Sequence, residues 1–278
     1  MYPYRDGLTA LSDNPVKAAV AGLFEMDLAP VGIVDHVVDL GCGNGAPAAA
    51  LVPLLPTTCR WLLVEKDEGQ LAVARSRLRS MTSQRVDGVC ADLARLPFGR
   101  LPPGPGLILI SHVLYYLPQW QDVLSWLVGQ ARSSGCVLVV VMRSRQSASY
   151  RLRACIRTAQ GGSADGMLTA ESVQSWLESH DVPYSAFASA AAVSYDVTGI
   201  RMDDSDMLRR ACDRHASLYS TLSLLCHTDP AGLDPGPAAA LTNTIRTMVH
   251  RNRLDLLLDD LILLVSPSSR EGTCRTSM

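Results

Sequence analysis

Carboxylate side chains end three successive apolar segments near the start of the chain. Asp39 lies in VVDL, Glu65 ends WLLVE and Asp92 follows VCA. The first segment runs directly into the turn GCGNG. A glycine-rich turn between a strand and a helix lets the backbone approach a ligand closely and offers free N–H groups from the helix N-terminus. The spacing therefore predicts a site for a nucleotide-like ligand, with Glu65 placed to accept hydrogen bonds from ribose hydroxyls.

The glycines alone do not distinguish a dinucleotide from another nucleotide-like ligand. Gly41, Gly43 and Ala46 satisfy the G-x-G-x-x-A spacing of dinucleotide-binding proteins. Asp39, however, lies two residues before Gly41. A negatively charged side chain at that position does not favour a pyrophosphate, so Asp39 argues against a dinucleotide. Asp92 adds a third acid, although an acid at a strand end can also serve as a simple helix cap.

A fourth apolar segment, GLILIS, ends in SHVLYYL. His112 lies at its carboxyl edge, where ligands bind in open α/β sheets, and is a candidate general base or orienting group. A cap of the next segment is an equally good interpretation. Tyr115 and Tyr116 are adjacent, so we expect only one of them to face the pocket. The segment lacks the N-P-P-Y motif of enzymes that methylate base or glutamine nitrogens.

The last apolar segment, LDLLLDDLILLVS, contains Asp259 and Asp260. A carboxylate in such a strand requires a strand end or a polar cavity. We therefore expect one of the pair to face the mouth of the site, at the beginning of the strand. A bulge, or a cap paired with Arg251 or Arg253, is the alternative. The sequence places no lysine or arginine beside the pair, which favours a ligand that carries an amino group.

Strands and helices alternate over most of the chain, which predicts an α/β fold with a mostly parallel sheet. Asn14 and Pro15 begin a predicted N-terminal helix, and residues 200–252 are predicted to be helical. The boundaries divide the chain into an N-terminal segment (1–30), a core (31–199 and 253–267), a helical insert (200–252) and a disordered tail (268–278).

The composition limits which binding partners we expect for the chain. The 278 residues carry a formal net charge of −2 and a pI of about 6.3, without the basic surface that nucleic-acid binding requires. The eight cysteines lack the spacing of a zinc site or a disulfide framework, so we expect reduced thiols and no metal. The N-terminus has no signal peptide, and the longest apolar run is too short for a membrane span, so we expect a cytoplasmic monomer or homodimer.

The segment VVDLGCGNG resembles the first motif of class I S-adenosylmethionine-dependent methyltransferases. The resemblance implies a Rossmann-like fold, with seven strands and an antiparallel last strand, and S-adenosylmethionine as the cofactor. It implies that Asp39 faces the cationic methionine part of the cofactor and that Asp92 lies near the adenine amino group. The full set of expected cofactor-binding residues is Asp39, Gly41, Cys42, Gly43, Glu65, Lys66, Asp92, Leu93 and Ser111.

Within that class the chain resembles the histamine N-methyltransferase group, through V-E after the second strand, L-Y-Y at 114–116 and the helical insert. The resemblance implies an N-terminal lid and a substrate lobe formed by the insert. Catalytic roles then fall to His112, Tyr115, Tyr116 and Asp260. Substrate-binding roles fall to Tyr4, His112, Tyr116, Arg143, Asp259 and Asp260. The group's histamine-binding glutamate has no counterpart, since Pro15, Val16 and Lys17 stand there, and aspartates replace its Asn-Asn pair.

The expected function is methyl transfer to nitrogen or oxygen of a small molecule, with an amine-bearing compound of secondary metabolism favoured as the acceptor. An NAD(P)-dependent oxidoreductase is one alternative, although the chain has no Tyr-x-x-x-Lys signature and that class does not explain Asp39. A catalytically silent methyltransferase fold that binds a partner protein is the other.

Overall fold

The computed structural model describes residues 34–95, 101–199, 210 and 216–267. The predicted N-terminal helix and lid, Tyr4 and the predicted tail lie outside these residues. So does most of the segment 200–215, which begins the predicted insert.

The strands follow the apolar segments of the sequence. They are β1 (His36–Leu40), β2 (Arg60–Glu65), β3 (Val86–Cys90), β4 (Gly106–Ser111), β5 (Val137–Arg143), β6 (Ser185–Asp196), β7 (Val249–His250) and β8 (Arg253–Val265).

Helices connect the strands. They are α1 (Ala46–Leu51), α2 (Glu68–Met81), α3 (Trp120–Ser134), α4 (Ala148–Ala159), α5 (Ala170–Ser179), α6 (Ala216–Cys226) and α7 (Pro235–Arg246). Short 3-10 turns are formed by Val52–Leu54, Leu114–Tyr116, Ala164–Gly166 and Pro230–Gly232.

Local sequence explains where the helices near the glycine turn begin and end. α1 stops at Leu51 and continues as a 3-10 turn through Pro53, because proline cannot donate the next helical hydrogen bond. The Asp67 side chain caps α2 by accepting a hydrogen bond from the Gln70 N–H. α3 ends at Gly135, which adopts the left-handed conformation.

One sheet joins the strands in the order β3-β2-β1-β4-β5-β8-β6, and β7 pairs with β8. The prediction of a mostly parallel sheet is confirmed, since β1 pairs in parallel with β2 and β4. The predicted count of seven strands is wrong. The described part of the chain forms eight, because Val249–His250 folds back on the start of β8 as a short antiparallel strand.

The chain forms two compact units. The described residues of the first, the sheet unit, are 34–95, 101–142, 170–189 and 261–267. Its core packs helices against the apolar strands, and β1, β4 and most of β5 are buried. Burial of all residues along a strand is typical of parallel sheets that helices cover on both faces.

The second, the helical unit, contains residues 143–169, 190–199, 210 and 216–260. Its core is formed by α4, α6, α7 and the first half of β8, with Leu152, Leu222 and Leu241 fully buried. This unit includes the described part of the predicted insert and also residues that sequence analysis assigned to the core, notably 143–169. Its role as a substrate lobe stays a prediction.

Candidate active site

Asp39 is a buried carboxylate inside β1. The residue is 1% exposed, and its Oδ2 has no hydrogen-bond partner among the described residues. Burial, and to a lesser extent the nearby charge of Glu65, raise the pKa of Asp39 to about 7. A carboxylate in this position is stabilised by a positively charged group, so the site fits the cationic part of S-adenosylmethionine.

The glycine turn follows β1 without a break. Gly41 has φ 72°, and a Cβ there would lie 2.5 Å from Cγ2 of Val113, so no other residue fits without rearrangement. Gly43 has φ 51°, and a Cβ there would meet nothing within 4 Å. The turn therefore leaves open space on the side of Gly43 where a Cβ would lie. Cys42 is buried, and burial raises the pKa of its thiol, which makes it an unreactive packing residue.

Glu65 lies beside this turn because β2 pairs in register with β1, with Val64 opposite Leu40. Its Oε2 accepts a hydrogen bond from the Gly43 N–H (3.0 Å). Its Oε1 accepts from the N–H groups of Lys66 (2.9 Å) and Asp67 (3.1 Å). A carboxylate accepts about four hydrogen bonds, so the backbone holds Glu65 in place and leaves room for roughly one hydroxyl.

The other predicted cofactor residues occupy the same edge of the sheet unit. Ser111 ends β4 next to Ile110, which pairs with Leu40, and its buried Oγ has no partner within the described part of the chain. Leu93 is buried, whereas Lys66 is exposed. Asp92 accepts the Ala94 N–H (3.0 Å) and lies 3.8 Å from Nε of Arg95. Asp92 therefore stabilises a local turn, and its place near adenine stays a prediction.

His112 follows β4 in a left-handed conformation, with φ 56°. Such a conformation is strained for a residue other than glycine and is common at functional sites. Its N–H donates to the carbonyl of Val141 (2.9 Å), and its ring stacks near that of Tyr115 at 6.3 Å. Tyr115 is half-buried, and Tyr116 is 59% exposed.

In the helical unit, Arg143 and Asp260 form a buried ion pair. Nη1 of Arg143 lies 3.1 Å from Oδ1 and 3.3 Å from Oδ2 of Asp260, and the Asp260 side chain has no exposure. Burial raises the pKa of Asp260 to about 7; Arg143 opposes this shift, and Asp259 adds to it. The premise that no cation lies beside the aspartates is wrong, because the fold brings Arg143 to Asp260 from 117 residues away.

The aspartates also differ from the prediction in where they lie along the strand. β8 begins at Arg253, so Asp259 and Asp260 lie at its middle rather than its beginning. Arg253 pairs instead with Asp255, at 3.7 Å.

Sequence analysis missed the role of Asn44 in the glycine turn. Its Oδ1 accepts hydrogen bonds from the Ala46 N–H (3.1 Å) and from Nη1 of Arg77 on α2 (3.0 Å). An asparagine just before a helix is a recognisable capping signal, but the partner on α2 has no sequence signal. Asn44 thus ties the glycine turn to both helices that follow it.

The comparisons with known proteins agree with this geometry. Residues 37–135, which include the glycine turn and all three strand-end acids, match the family described as "Methyltransferase domain". Residues 37–135 are therefore similar in sequence to methyltransferase domains. The match favours this class over a nicotinamide oxidoreductase. A search of curated proteins found no match to the chain.

Solved structures share the fold of this chain at low sequence identity. A cyclopropane-fatty-acyl-phospholipid synthase-like protein from Lactobacillus casei is 15% identical, with a TM-score of 0.54 over 91% of this chain and 90% of the other. A candidate methyltransferase from Bacillus halodurans is 14% identical, with a TM-score of 0.53 over 91% and 100%. The Escherichia coli protein YjhP is 14% identical, with a TM-score of 0.50 over 94% and 98%.

None of the helices in the described ranges has the length and apolar character needed to cross a membrane.

Proposed function

We propose that this chain transfers a methyl group from S-adenosylmethionine to a nitrogen or oxygen atom of a small molecule. The observation that carries the proposal is the buried Asp39 carboxylate, whose Oδ2 has no partner among the described residues and which lies directly before a glycine turn. When bound, S-adenosylmethionine supplies an electrophilic methyl group on a positively charged sulfur.

Asp39 and Glu65 are proposed to hold the cofactor by different means. Asp39 would be ionised by a cationic group, because an opposite charge offsets the cost of burying the carboxylate. Glu65 would accept a ribose hydroxyl at its one remaining position, without needing to reorganise, since three backbone N–H groups already orient it. Asp92, Ser111, Leu93 and Lys66 would complete the site.

His112 is proposed to orient the acceptor or remove its proton. Its backbone conformation is fixed by the hydrogen bond to Val141, and Tyr115 packs near its ring. Tyr116 is exposed and offers an aromatic face to the acceptor. The chain's main contribution is then proximity and orientation of the acceptor atom. A small molecule is the proposed acceptor because the net charge of −2 gives no surface suited to nucleic acid.

The Arg143–Asp260 pair bears on the class of the acceptor. An amine was expected because the aspartates required a positive partner, and Arg143 already provides one. Asp260 therefore does not favour an amine over other small molecules. A role in secondary metabolism stays a prediction.

The decisive experiment is transfer of label from methyl-labelled S-adenosylmethionine to the small-molecule fraction of an extract of the source cells. We expect labelled product with the wild type and with Glu68→Ala, which removes an exposed carboxylate one turn from the site. Glu65→Ala should give much less. Cofactor binding without any labelled product would contradict the proposal and favour a silent methyltransferase fold that binds a partner.

A further inference from the structure

The first turn of α4 in the helical unit carries several features that suit an anion. α4 spans twelve residues, and the N–H groups of its first turn have no acceptor within the helix. Its first turn contains no acidic residue. The helix dipole places partial positive charge at this end.

A buried hydroxyl without a partner lies at the same turn. Ser147 is the residue that precedes α4, and it is 0% exposed. Its Oγ has no hydrogen-bond partner in the described part of the chain, and it does not cap the helix. Buried hydroxyls are normally hydrogen-bonded, so this hydroxyl is available to donate a hydrogen bond to a ligand at the N-terminus of α4.

A second helix brings a histidine to this turn. The Ser149 Oγ donates to the carbonyl of Leu225 at the end of α6 (3.1 Å). His227 follows two residues later, exposed and in a left-handed conformation. Partial desolvation of its ring, then Arg153 and Arg143, lower the pKa of His227 to about 4. Both guanidinium groups therefore lie near this histidine.

Arg153 is the cation of this group without an ion-pair partner among the described residues. It lies four residues after Ser149, on the same face of α4, and long side chains in helices lean toward the N-terminus. Arg143 is paired with Asp260, but no carboxylate of the described residues lies within ion-pair distance of the half-buried Arg153.

We propose that the N-terminal turn of α4, with Ser147, Arg153 and His227, binds an oxyanion, either a phosphate or a carboxylate group of a small molecule. The guanidinium of Arg153 supplies the charge, and the helix N–H groups and the Ser147 hydroxyl supply hydrogen bonds. This anion site does not depend on the proposed function.

The test uses the full chain and two probes, inorganic phosphate and acetate, each titrated against chloride at constant ionic strength. Binding to the folded state raises the melting temperature. We expect a rise with at least one probe in the wild type and in Arg157→Gln, which removes an exposed arginine from the other end of α4. Arg153→Gln should weaken probe binding on the order of tenfold.

A second measurement needs no variant. A bound anion favours the protonated imidazole, so the probe should raise the pKa of His227, followed by NMR. A response to phosphate alone identifies a phosphate group, and a response to acetate alone identifies a carboxylate. No response in melting temperature or at His227, or equal binding by Arg153→Gln and Arg157→Gln, would overturn the site.

Binding of S-adenosylhomocysteine separates this proposal from the proposed function. Arg153→Gln should bind it as the wild type does. If the wild type binds phosphate but not S-adenosylhomocysteine, the anion site stands and the proposed function fails.

Discussion

At the level of single residues, the site uses two carboxylates that the fold holds in opposite ways. Glu65 accepts three backbone hydrogen bonds and is fixed before any ligand binds. Asp39 is buried with one oxygen that lacks a partner among the described residues. The fixed carboxylate of Glu65 favours a defined orientation of the bound ligand. The buried carboxylate of Asp39 favours a ligand that carries a positive charge.

The raised pKa of Asp39 predicts a pH dependence of cofactor binding. With a pKa of about 7 in the free protein, Asp39 must lose a proton to pair with a cation below that pH. The affinity for S-adenosylmethionine should therefore fall as the pH drops from 8 to 6. Asp39→Asn should bind more weakly at pH 8 and show a flatter profile, measured by calorimetry. Parallel profiles for both proteins would rule out this role for Asp39.

Residue types near the glycine turn could be predicted from sequence because neighbouring positions in the chain stay neighbours in the fold. Asp39, Gly41 and Gly43 belong to one continuous segment, and parallel strands bring Glu65 to the same edge. The partner of Asp260 could not be predicted, because Arg143 lies 117 residues earlier and only the folded chain brings the two together. The premise for an amine acceptor is wrong for that reason, and the amine itself stays a prediction.

At the level of elements, the glycine turn keeps its conformation because α1 and α2 pack closely against it. A Cβ at Gly45 would lie 2.8 Å from Cβ and 2.9 Å from Cα of Ala74 on α2. Hydrophobic periodicity predicts both helices, but it does not reveal this close approach. The same limit explains β7: two residues, Val249 and His250, are too few to show the alternation by which strands are recognised.

Gly45 and Gly135 offer a matched test of this packing. Both have φ 76°, but a Cβ at Gly135 meets nothing within 4 Å. Gly135→Ala should cost about 1 kcal/mol for the left-handed backbone alone. Gly45→Ala should cost about 1–3 kcal/mol more, because it also crowds Ala74. Urea unfolding measures both, and equal losses would show that α1 and α2 separate without cost.

At the level of the whole molecule, each compact unit has a core of its own. Leu63 on β2 and Leu222 on α6 are both 0% exposed, one in each core. Leu63→Ala and Leu222→Ala should each destabilise the protein by about 2–5 kcal/mol. Only Leu63→Ala should weaken cofactor binding, because Leu63 pairs with Asp39 across the sheet. Leu222→Ala should instead raise the acceptor KM, and equal loss of cofactor affinity in both variants would contradict separate roles for the two units.

The most direct test of the account is calorimetric titration of S-adenosylhomocysteine and NAD⁺ into the wild type and Glu65→Ala. We expect saturable binding of S-adenosylhomocysteine to the wild type, no binding of NAD⁺, and a loss of roughly 1.5–3 kcal/mol in Glu65→Ala for the charge-assisted hydrogen bond. Binding of NAD⁺ in preference to S-adenosylhomocysteine, or an affinity unchanged by Glu65→Ala, would contradict a methyl-donor site at this glycine turn.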